Sequence, residues 1–426
     1  MTAEAVAADG AAPSSTARDD ECLPVLYRGV PHRAAKLYAG STHRACPPAE
    51  TLERVLPVTH LAGITRLADV TGLDRIGIPV ILAMRPNAPT LANSSGKGFS
   101  KIDATVSAVM EGIELCCAEE EEHFPFDVVD ATYDELDRAG LAPPLELLPL
   151  SRHSLFHRGV PERWVLAWDL IAQREAAVPF ETVTMCPGHG VTKRPLRLSF
   201  QPGSNGLASG NVFLEAVCSA LAELIERDAV ACASTAAKVV ALETVPHDRV
   251  RELLERLAAK AITVVLFDLT SDTDVPTFEA RLIDEAIPMT GVAGGYGAHL
   301  HPEVAMLRAI TEAVQGRAVY ISGSRDDLTW FEHFRLQSGR TERLRGLARQ
   351  AGSDVSGIES RATGSFEGDC HALLDAIRRV GLPSATVVDL SRPELGVAAV
   401  RVAVPGLEGY HSSDQYAPGP RARDAR

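Results

Sequence analysis

The sequence predicts a globular chain of mixed helices and strands, large enough to form two or three lobes. Its 426 residues can bury a sizeable core, and a hydrophobic fraction of 46% with a charged fraction of 23% is ordinary for a soluble globular protein. Apolar residues recur at helical spacing in residues 214–225, whereas residues 262–269 form the dense apolar run of a buried strand. We therefore expect a mixed architecture of helices and strands.

Composition and charge exclude several classes of function. The net charge of -14 argues against nucleic acid as the main partner, because phosphate backbones are bound by basic patches. No apolar run is long enough to span a bilayer, and the N-terminus lacks the pattern of a signal peptide. Several of the 8 cysteines lie in apolar helical stretches, which fits reduced thiols better than a disulfide framework. These features predict a cytoplasmic protein that does not contact membranes.

The first half of the chain alternates short helices and strands. Residues 1–22 are mostly small and polar and contain no aromatic residue, so we expect a disordered tail there. Residues 93–100 contain Gly96-Lys97-Gly98 and are predicted to form a flexible loop. The remaining predictions are a helix over 48–55, strands over 64–70 and 78–84, a helix over 103–118, and a hairpin of strands over 164–170 and 176–185.

The second half begins with a helix for which Asn211 is predicted as the N-cap. Residues 291–300 are rich in glycine and residues 340–368 are polar, so both are predicted to be mobile. The other predicted helices cover 248–259, 302–318 and 370–380, and the other predicted strands cover 262–269, 277–283, 385–390 and 397–404.

Two helices each carry a pair of glutamates three residues apart. Glu223 and Glu226 lie side by side on one helix face, as do Glu111 and Glu114 on another, together with Ser107. A single pair is more often a solvated charged face. The helix that carries Glu111 is largely apolar, however, and buried carboxylates require pairing, protonation or a metal. Four converging carboxylates would form an all-oxygen site suited to Mg²⁺.

Other residues suggest that a nucleotide accompanies this metal. Lys97 lies between two glycines, and a third helix brings Arg308, Gln315 and Arg317. Cations and amides near Mg²⁺ are what a triphosphate requires, although the spacing of a P-loop is absent. A di-iron bundle is the competing metal site, but it requires Glu-x-x-His motifs that neither helix has. The residues alone thus indicate a possible Mg-nucleotide enzyme without a P-loop.

Eight motifs follow one another between about residues 60 and 410. They are Thr-Gly-Leu-Asp-Arg-Ile-Gly-Ile-Pro-Val (71–80), Gly-Lys-Gly (96–98), Ser-x3-Glu-x2-Glu (107–114), Ser-Asn-Gly-Leu-Ala-Ser-Gly-Asn (204–211), Glu-Leu-Ile-Glu-Arg-Asp (223–228), Arg-Ala-Ile-Thr-Glu-Ala-Val-Gln-Gly-Arg (308–317), Ser-Arg-Asp-Asp (324–327) and Arg-Val-Ala-Val-Pro-Gly-Leu-Glu (401–408). In this order they closely resemble the YcaO family. The combination is specific, although each motif alone is weak.

The resemblance implies an α+β fold with internal pseudo-symmetry, mixed sheets and packed helices around an ATP site unlike that of P-loop enzymes. It also implies a reaction in which a nucleophile attacks a backbone amide of a ribosomally made peptide. The resulting oxygen is phosphorylated by ATP and phosphate then leaves. The product is an azoline, an amidine or, with external sulfide, a thioamide.

The resemblance also implies roles for individual residues, with ATP and Mg²⁺ as the cofactors. It assigns no residue as a catalytic group. The metal ligands would be Glu111, Glu114, Glu223 and Glu226, with Glu215 assisting, and the residues at the nucleotide would be Lys97, Ser107, Asn211, Arg227, Arg308, Gln315 and Arg317.

Departures from the family pattern narrow the prediction. Azoline-forming members commonly end in Pro-x-Pro-x-Pro, whereas this chain ends with only Pro418 and Pro420 in a polar tail over 411–426. An N-terminal extension over 23–60 leaves no room for a fused leader-binding domain before a catalytic domain over 61–410. A stand-alone enzyme that works with a separate TfuA-type partner on a precursor peptide is therefore predicted.

Thioamide formation is the leading product hypothesis, with azoline or amidine formation next. A hypothesis of a different class is a catalytically silent nucleotide-binding adaptor for a partner enzyme. The sequence leaves open whether the protein is a homodimer.

Overall fold

The computed structural model describes residues 22–186, 199–233, 237–287, 291–324, 340–409 and 412–425. The predicted disordered tail, except for Cys22, and most of the motif at 324–327 lie outside these ranges. The helices within them are α1 (Pro48–Val55), α2 (Lys101–Glu119), α3 (Tyr133–Arg138), α4 (Phe213–Cys232), α5 (Asp248–Ala258), α6 (Pro302–Ser322), α7 (Arg340–Ala348), α8 (Phe366–Arg379) and α9 (Pro420–Asp424).

The strands of the described residues all pair antiparallel. They are β1 (Val25–Tyr27), β2 (Val30–His32), β3 (Tyr38–Ala39), β4 (His43–Arg44), β5 (Arg66–Asp69), β6 (Val80–Met84), β7 (Asn93–Lys97), β8 (Val128–Ala131), β9 (Glu162–Asp169), β10 (Arg174–Pro179), β11 (Leu207–Gly210), β12 (Lys238–Val239), β13 (Ile262–Asp268), β14 (Thr277–Asp284), β15 (Val292–Ala298), β16 (Thr386–Asp389) and β17 (Ala398–Ala403).

Three sheets form the framework of the molecule. Their orders are β5-β6-β7, β10-β9-β16-β17-β11 with β8 also paired to β9, and β12-β13-β14-β15. The predicted hairpin of β9 and β10 and the predicted neighbours β13 and β14 are confirmed. Two further two-stranded ribbons, β1-β2 and β3-β4, lie near the N-terminus. The α+β class predicted from the sequence is therefore confirmed.

Each large sheet has an end strand that leads directly into a long helix. These strand–helix units are β7–α2, β11–α4 and β15–α6, and two to three residues separate the strand from the helix in each. Local sequence explains the helix starts. Ser100 caps α2 in a capping box with Asp103, and Pro302 occupies the first turn of α6, where its missing N–H costs no hydrogen bond. The repetition of this unit agrees with the internal pseudo-symmetry that the resemblance implied.

Glycines let each end strand lie directly on its helix. A Cβ atom on Gly96 would lie 2.1 Å from the backbone nitrogen of Ala108 in α2, and one on Gly295 would lie 2.3 Å from that of Ala313 in α6. At β11, a Cβ on Gly210 would lie 2.6 Å from the nitrogen of Ala216. Because such contacts exclude any side chain, glycine is required here for packing.

The structure corrects three predictions of flexible segments. Residues 93–100 were predicted as a flexible loop and 291–300 as a mobile segment, but they contain β7 and β15. Glycine signals both loops and close approach of backbones, and only the position of the partner helix distinguishes them. The polar stretch 340–368 likewise contains α7 and is anchored by Val355, which is 2% exposed in the core formed with α5 and α6.

The start of α4 also differs from the prediction. Val212 is the N-cap and the helix begins at Phe213, so Asn211 precedes the cap. Its amide instead holds other side chains, which are described below.

The N-terminal extension packs into the same cores as the rest of the chain. Val25 lies in the cluster formed with α4 and α8, and Val55 lies in the cluster formed with α2. The C-terminal residues are also folded, since Arg421 in α9 binds Asp228 through two hydrogen bonds of 2.8 Å. No helix among the described residues is long and apolar enough to cross a membrane.

Candidate active site

A cavity of about 2000 Å³ lies where the three strand–helix units meet. All twelve residues predicted for the cofactor site line it, although they come from segments more than two hundred residues apart. They are Lys97, Ser107, Glu111, Glu114, Asn211, Glu215, Glu223, Glu226, Arg227, Arg308, Gln315 and Arg317. Their individual roles remain predictions, and the contacts below separate them into groups.

The carboxylates of α2 bind the backbones of two different units. Glu111 Oε2 accepts a hydrogen bond from the backbone N–H of Ser95 in β7 at 2.8 Å, and Glu114 Oε2 accepts one from Ser209 in β11 at 2.7 Å. Burial, followed by the nearby charges of Glu223 and Glu111, raises the pKa of Glu114 well above its usual value. Several carboxylates therefore lie close together in a region that is shielded from water.

The carboxylates of α4 repeat this arrangement one unit further on. Glu226 is 2% exposed, and its Oε2 accepts a hydrogen bond from the backbone N–H of Ala298 in β15 at 3.0 Å. Burial raises the pKa of Glu226 to about 7, with Glu312 adding to the shift, and burial also raises that of Glu223. A bound cation would relieve this repulsion, so the donor set fits a hard divalent ion.

The four glutamates do not form one compact cage. Among the described residues, the group whose ligand atoms all lie within 4.8 Å of one another is a different one, His43, His299 and Asp369. Mg²⁺ is commonly held by one or two carboxylates together with water and the phosphates of a substrate. The wider spacing of the glutamates suits that kind of site better than a site closed by protein ligands alone.

One buried cation lies close to the glutamates. Arg401 in β17 is 1% exposed and donates to the carbonyl oxygens of Val183, at 3.0 and 3.2 Å, and Asn205, at 3.0 Å. Burial lowers its pKa to about 10, and the charges of Glu223 and Glu114 oppose that shift. Sequence analysis missed this role because Arg401 entered only as the first residue of the motif at 401–408, and nothing in that motif shows that its side chain is buried beside the glutamates.

A second missed residue, Glu312, belongs to a polar chain between β7 and α6. Lys97 Nζ lies 2.9 Å from Gln315 Oε1 and 3.5 Å from Glu312 Oε2, and Gln315 Nε2 donates to Ser95 Oγ at 2.8 Å. Glu312 follows Arg308 by four residues and precedes Gln315 by three. Its place on the same helix face was therefore readable from the sequence.

Arg317 points to a structural role. Its guanidinium is almost fully buried and binds Asp74 at 2.9 Å and Asp284 at 2.8 Å. Arg75 binds the other oxygen of Asp284 at 2.5 Å. This network accounts for the burial of Arg317. A structural role is therefore an alternative to its predicted contact with the nucleotide.

Asn211 and Glu215 are also held by protein groups. Asn211 Oδ1 accepts from Thr51 Oγ1 at 2.7 Å and from Arg54 in α1, and its amide donates to Glu215 Oε2 at 3.1 Å. Glu215 is 2% exposed and also binds the backbone N–H of Ala45 at 2.9 Å. These contacts favour a role for Glu215 in holding Asn211 and Ala45 in place over its predicted assistance to a metal.

The β3-β4 ribbon near the N-terminus contains a third residue that the sequence analysis missed. Arg44 in β4 lines the cavity and lies 3.5 Å from Glu215 Oε1. Since the ribbon precedes every motif that carried the resemblance, nothing in the sequence linked Arg44 to the site.

The chain belongs to the YcaO family. The family's sequence model, described as YcaO cyclodehydratase, ATP- and Mg²⁺-binding, matches residues 95–408. Membership confirms the predicted family and the two predicted cofactors, ATP and Mg²⁺, and identifies an ATP-dependent enzyme family.

Relatives and solved structures agree with this assignment. An uncharacterized protein of Methanothermobacter thermautotrophicus is 37% identical over 396 residues, covering 90% of this chain and 99% of the relative. A protein of Rhizobium leguminosarum bv. trifolii described as lying in the tfuA 3′ region is 32% identical over 387 residues, covering 86% and 88%.

Among solved structures, YcaO from Methanopyrus kandleri bound with AMPPCP and Mg²⁺ has a TM-score of 0.72 at 25% identity, covering 91% of this chain and 98% of that one. A heterocyclase in complex with substrate and cofactor has a TM-score of 0.76 at 23% identity, covering 92% of this chain and 55% of that one. At that identity the second likeness concerns the fold.

Proposed function

We propose that this protein uses ATP to activate a backbone amide of a ribosomally made peptide and converts that amide into a thioamide, together with a separate TfuA-type partner. The observation that carries the proposal is the meeting of two carboxylate pairs, Lys97 and several arginines in one cavity of about 2000 Å³. That volume exceeds what a nucleotide occupies, since ligand pockets for small molecules commonly hold about 300–1,000 Å³. Room therefore remains for a peptide segment beside the nucleotide.

The residues of the cavity divide the work by charge. Glu111, Glu114, Glu223 and Glu226 would hold Mg²⁺, which when bound neutralises phosphate charge and orients the γ-phosphate. Lys97, Arg227 and Arg308 would contact phosphate oxygens as cations. Gln315 accepts a hydrogen bond from Lys97 Nζ and donates one to Ser95 Oγ of β7, so the ammonium group of Lys97 is positioned before the nucleotide binds. Such preorganisation is the main contribution that a protein makes to phosphoryl transfer.

The proposed reaction balances with sulfide as the nucleophile. Hydrosulfide adds to the amide carbonyl carbon, and the carbonyl oxygen becomes an oxyanion. That oxygen takes the γ-phosphoryl group of ATP, and ADP leaves. The C–O bond then breaks as the C=S bond forms, and the S–H proton leaves with phosphate.

Support for the TfuA-type partner comes from the Rhizobium relative, whose description places it in the tfuA 3′ region. Azoline formation is the second candidate, because the family model is described as a cyclodehydratase. An adaptor without activity is disfavoured by the intact set of four glutamates, since a scaffold would have no need to keep all of them.

Mass spectrometry of the precursor peptide tests the proposal. The peptide is incubated with the protein, the TfuA-type partner, ATP, Mg²⁺ and sulfide. Exchange of one oxygen for sulfur is expected. Loss of water would instead establish azoline formation, and an unchanged peptide with ATP bound but not consumed would establish the adaptor.

A further inference from the structure

A second cavity of about 30 Å³ lies beside the large one. The two cavities share Thr42, Arg44, Ser219 and Arg308 in their linings, so they adjoin at these residues. A volume of this size holds one water molecule or a ligand of similar size. We call it the side cavity, and its lining also includes His43, Cys218, Ala222, Ala298, His299, Leu300, Phe366, Asp369 and Leu373.

Two buried polar atoms on this lining indicate an occupant. Within the described part of the chain, His43 Nδ1 and Arg308 Nε are buried and have no hydrogen-bond partner. Leaving such groups unsatisfied costs about 1–3 kcal/mol each. Because both residues border the same small space, one ligand between them would satisfy both.

A metal ion does not fit the side cavity, although His43, His299 and Asp369 bring ligand atoms within 4.8 Å of one another. Asp369 Oδ2 is bound by Lys36 Nζ at 2.5 Å, and Oδ1 accepts from the backbone N–H of Thr363 at 2.7 Å. His299 Nδ1 accepts from the backbone N–H of His301 at 2.9 Å, so its other ring nitrogen carries the proton in the neutral ring. Of the three, only His43 offers a nitrogen free to coordinate.

The surroundings favour an anion. Lys36, Arg44 and Arg308 place three cations around the histidines, while Asp369 and Glu215 offset two of them. Burial lowers the pKa of His43 to about 3, and the charge of Lys36 adds to the shift. The three cations outnumber the two carboxylates, and this surplus of positive charge disfavours a further cation. Arg308 Nε–H and His299 Nε2–H are donors, and donors suit an anion.

We propose that the side cavity holds hydrosulfide, the nucleophile of the reaction proposed above, before it passes Arg308 into the large cavity. Apolar residues form much of the lining, among them Leu300, Phe366 and Leu373. Such walls suit a soft, weakly hydrated anion better than a strongly hydrated one. The site would keep the nucleophile apart from the nucleotide, whose phosphates carry the same sign of charge. This assignment rests on the proposed function, because only thioamide formation consumes sulfide.

Kinetics with a filled side cavity test the assignment. Ala222 is 8% exposed on α4 and lines the side cavity but not the large one, so Ala222→Val fills it without entering the nucleotide site. We expect the KM for sulfide to rise about tenfold, the equivalent of about 1.4 kcal/mol, with the KM for ATP unchanged. Ala372→Val is the matched control, because Ala372 packs on the same core and lines neither cavity. An unchanged KM for sulfide in Ala222→Val overturns the assignment.

A crystallographic measurement stands beside the kinetics in case Ala222→Val does not fold. Crystals of the wild-type protein are soaked in bromide, and the anomalous signal is measured. A bromide peak in contact with Arg308 Nε and His43 Nδ1 is expected. A water molecule at that position, or a transition metal identified by X-ray fluorescence, would refute the anion site.

The two proposals fail in different ways. If the wild type forms thioamide while Ala222→Val keeps the wild-type dependence on sulfide, the side-cavity assignment is wrong and the proposed function stands, with any bromide peak then an adventitious ion only. If the wild type forms no thioamide at any sulfide concentration, the proposed function is wrong, and the hydrosulfide assignment is wrong with it.

Discussion

The first two strand–helix units and the third use the same framework for different chemistry. Helices α2 and α4 each direct a pair of glutamates into the cavity, whereas α6 directs Arg308, Glu312 and Gln315 there. In all three units, glycines bring the end strand against its helix. We infer from the difference that the framework sets where a helix face points, while a few side chains decide whether that face would attract a metal or a phosphate.

The hydrogen bonds between units make the comparison sharper. Glu114 of the first unit holds β11 of the second, and Glu226 of the second holds β15 of the third. A carboxylate that would bind metal therefore also joins neighbouring units. We expect that loss of a glutamate affects both activity and the fit between units.

The largest expected effect is the loss of ATP turnover when a glutamate of the first two units is neutralised. Glu111→Gln or Glu226→Gln should lower kcat about 10²- to 10³-fold, because Mg²⁺ loses a charged ligand. Glu252→Gln is the control, since Glu252 is exposed on α5 and lies outside the cavity. Wild-type turnover of ATP in both cavity variants would contradict the assignment of the α2 and α4 glutamates to the metal.

Among the effects on stability, the largest is expected for Arg317→Gln of the third unit. Breaking a buried ion pair from one side costs about 3–5 kcal/mol, and here Asp74 and Asp284 would lose a partner. Urea unfolding measures the change, and we expect the KM for ATP to be nearly unchanged. A large rise in that KM with normal stability would restore the predicted contact between Arg317 and the nucleotide.

A smaller effect is expected from the glycines that the units share. Gly96→Ala and Gly295→Ala should each cost about 1–3 kcal/mol, because the added carbon overlaps the backbone of α2 or α6. Gly72→Ala is the control, since an added Cβ there meets no atom within 4 Å. If the three variants unfold at the same urea concentration, the close strand–helix packing is wrong.

The smallest effect concerns pH and the histidines beside Arg308. The folded protein holds the pKa of His43 at about 3, against an ordinary value of 6.5. Between these pH values His43 is protonated in the unfolded chain but remains neutral in the folded protein. The free energy of unfolding therefore decreases as the pH falls from about 6.5 toward 3. His43→Gln should reduce the drop in unfolding free energy between pH 7 and pH 5. Equal drops in the two proteins would contradict the burial of this ring.

The sequence predicted the helices that carry the glutamates because their spacing is local. Glu111 and Glu114, like Glu223 and Glu226, are three residues apart, and such pairs must share a helix face whatever the rest of the chain does. Eight of the seventeen strands in the described residues were predicted for the same reason, since continuous apolar runs such as 262–269 are visible without a partner.

Features that depend on a distant partner could not be predicted in the same way. Gly96 and Gly295 were assigned to loops because their requirement for glycine comes from Ala108 and Ala313 on other elements. Asn211 resembles an N-cap in sequence, yet its partners include Thr51, which is 160 residues away. Arg44 belongs to no motif, Arg401 entered only as the first residue of the motif at 401–408, and only folding places the two side chains at the site.

Isothermal titration of ATP in the presence and absence of Mg²⁺, on the wild type and the double variant Glu111→Gln/Glu226→Gln, tests the central claim most directly. The account predicts Mg²⁺-dependent binding of ATP to the wild type and loss of that dependence in the double variant, with the fold retained by circular dichroism. Equal Mg²⁺ dependence in both proteins would contradict the claim that the glutamates of α2 and α4 hold the metal.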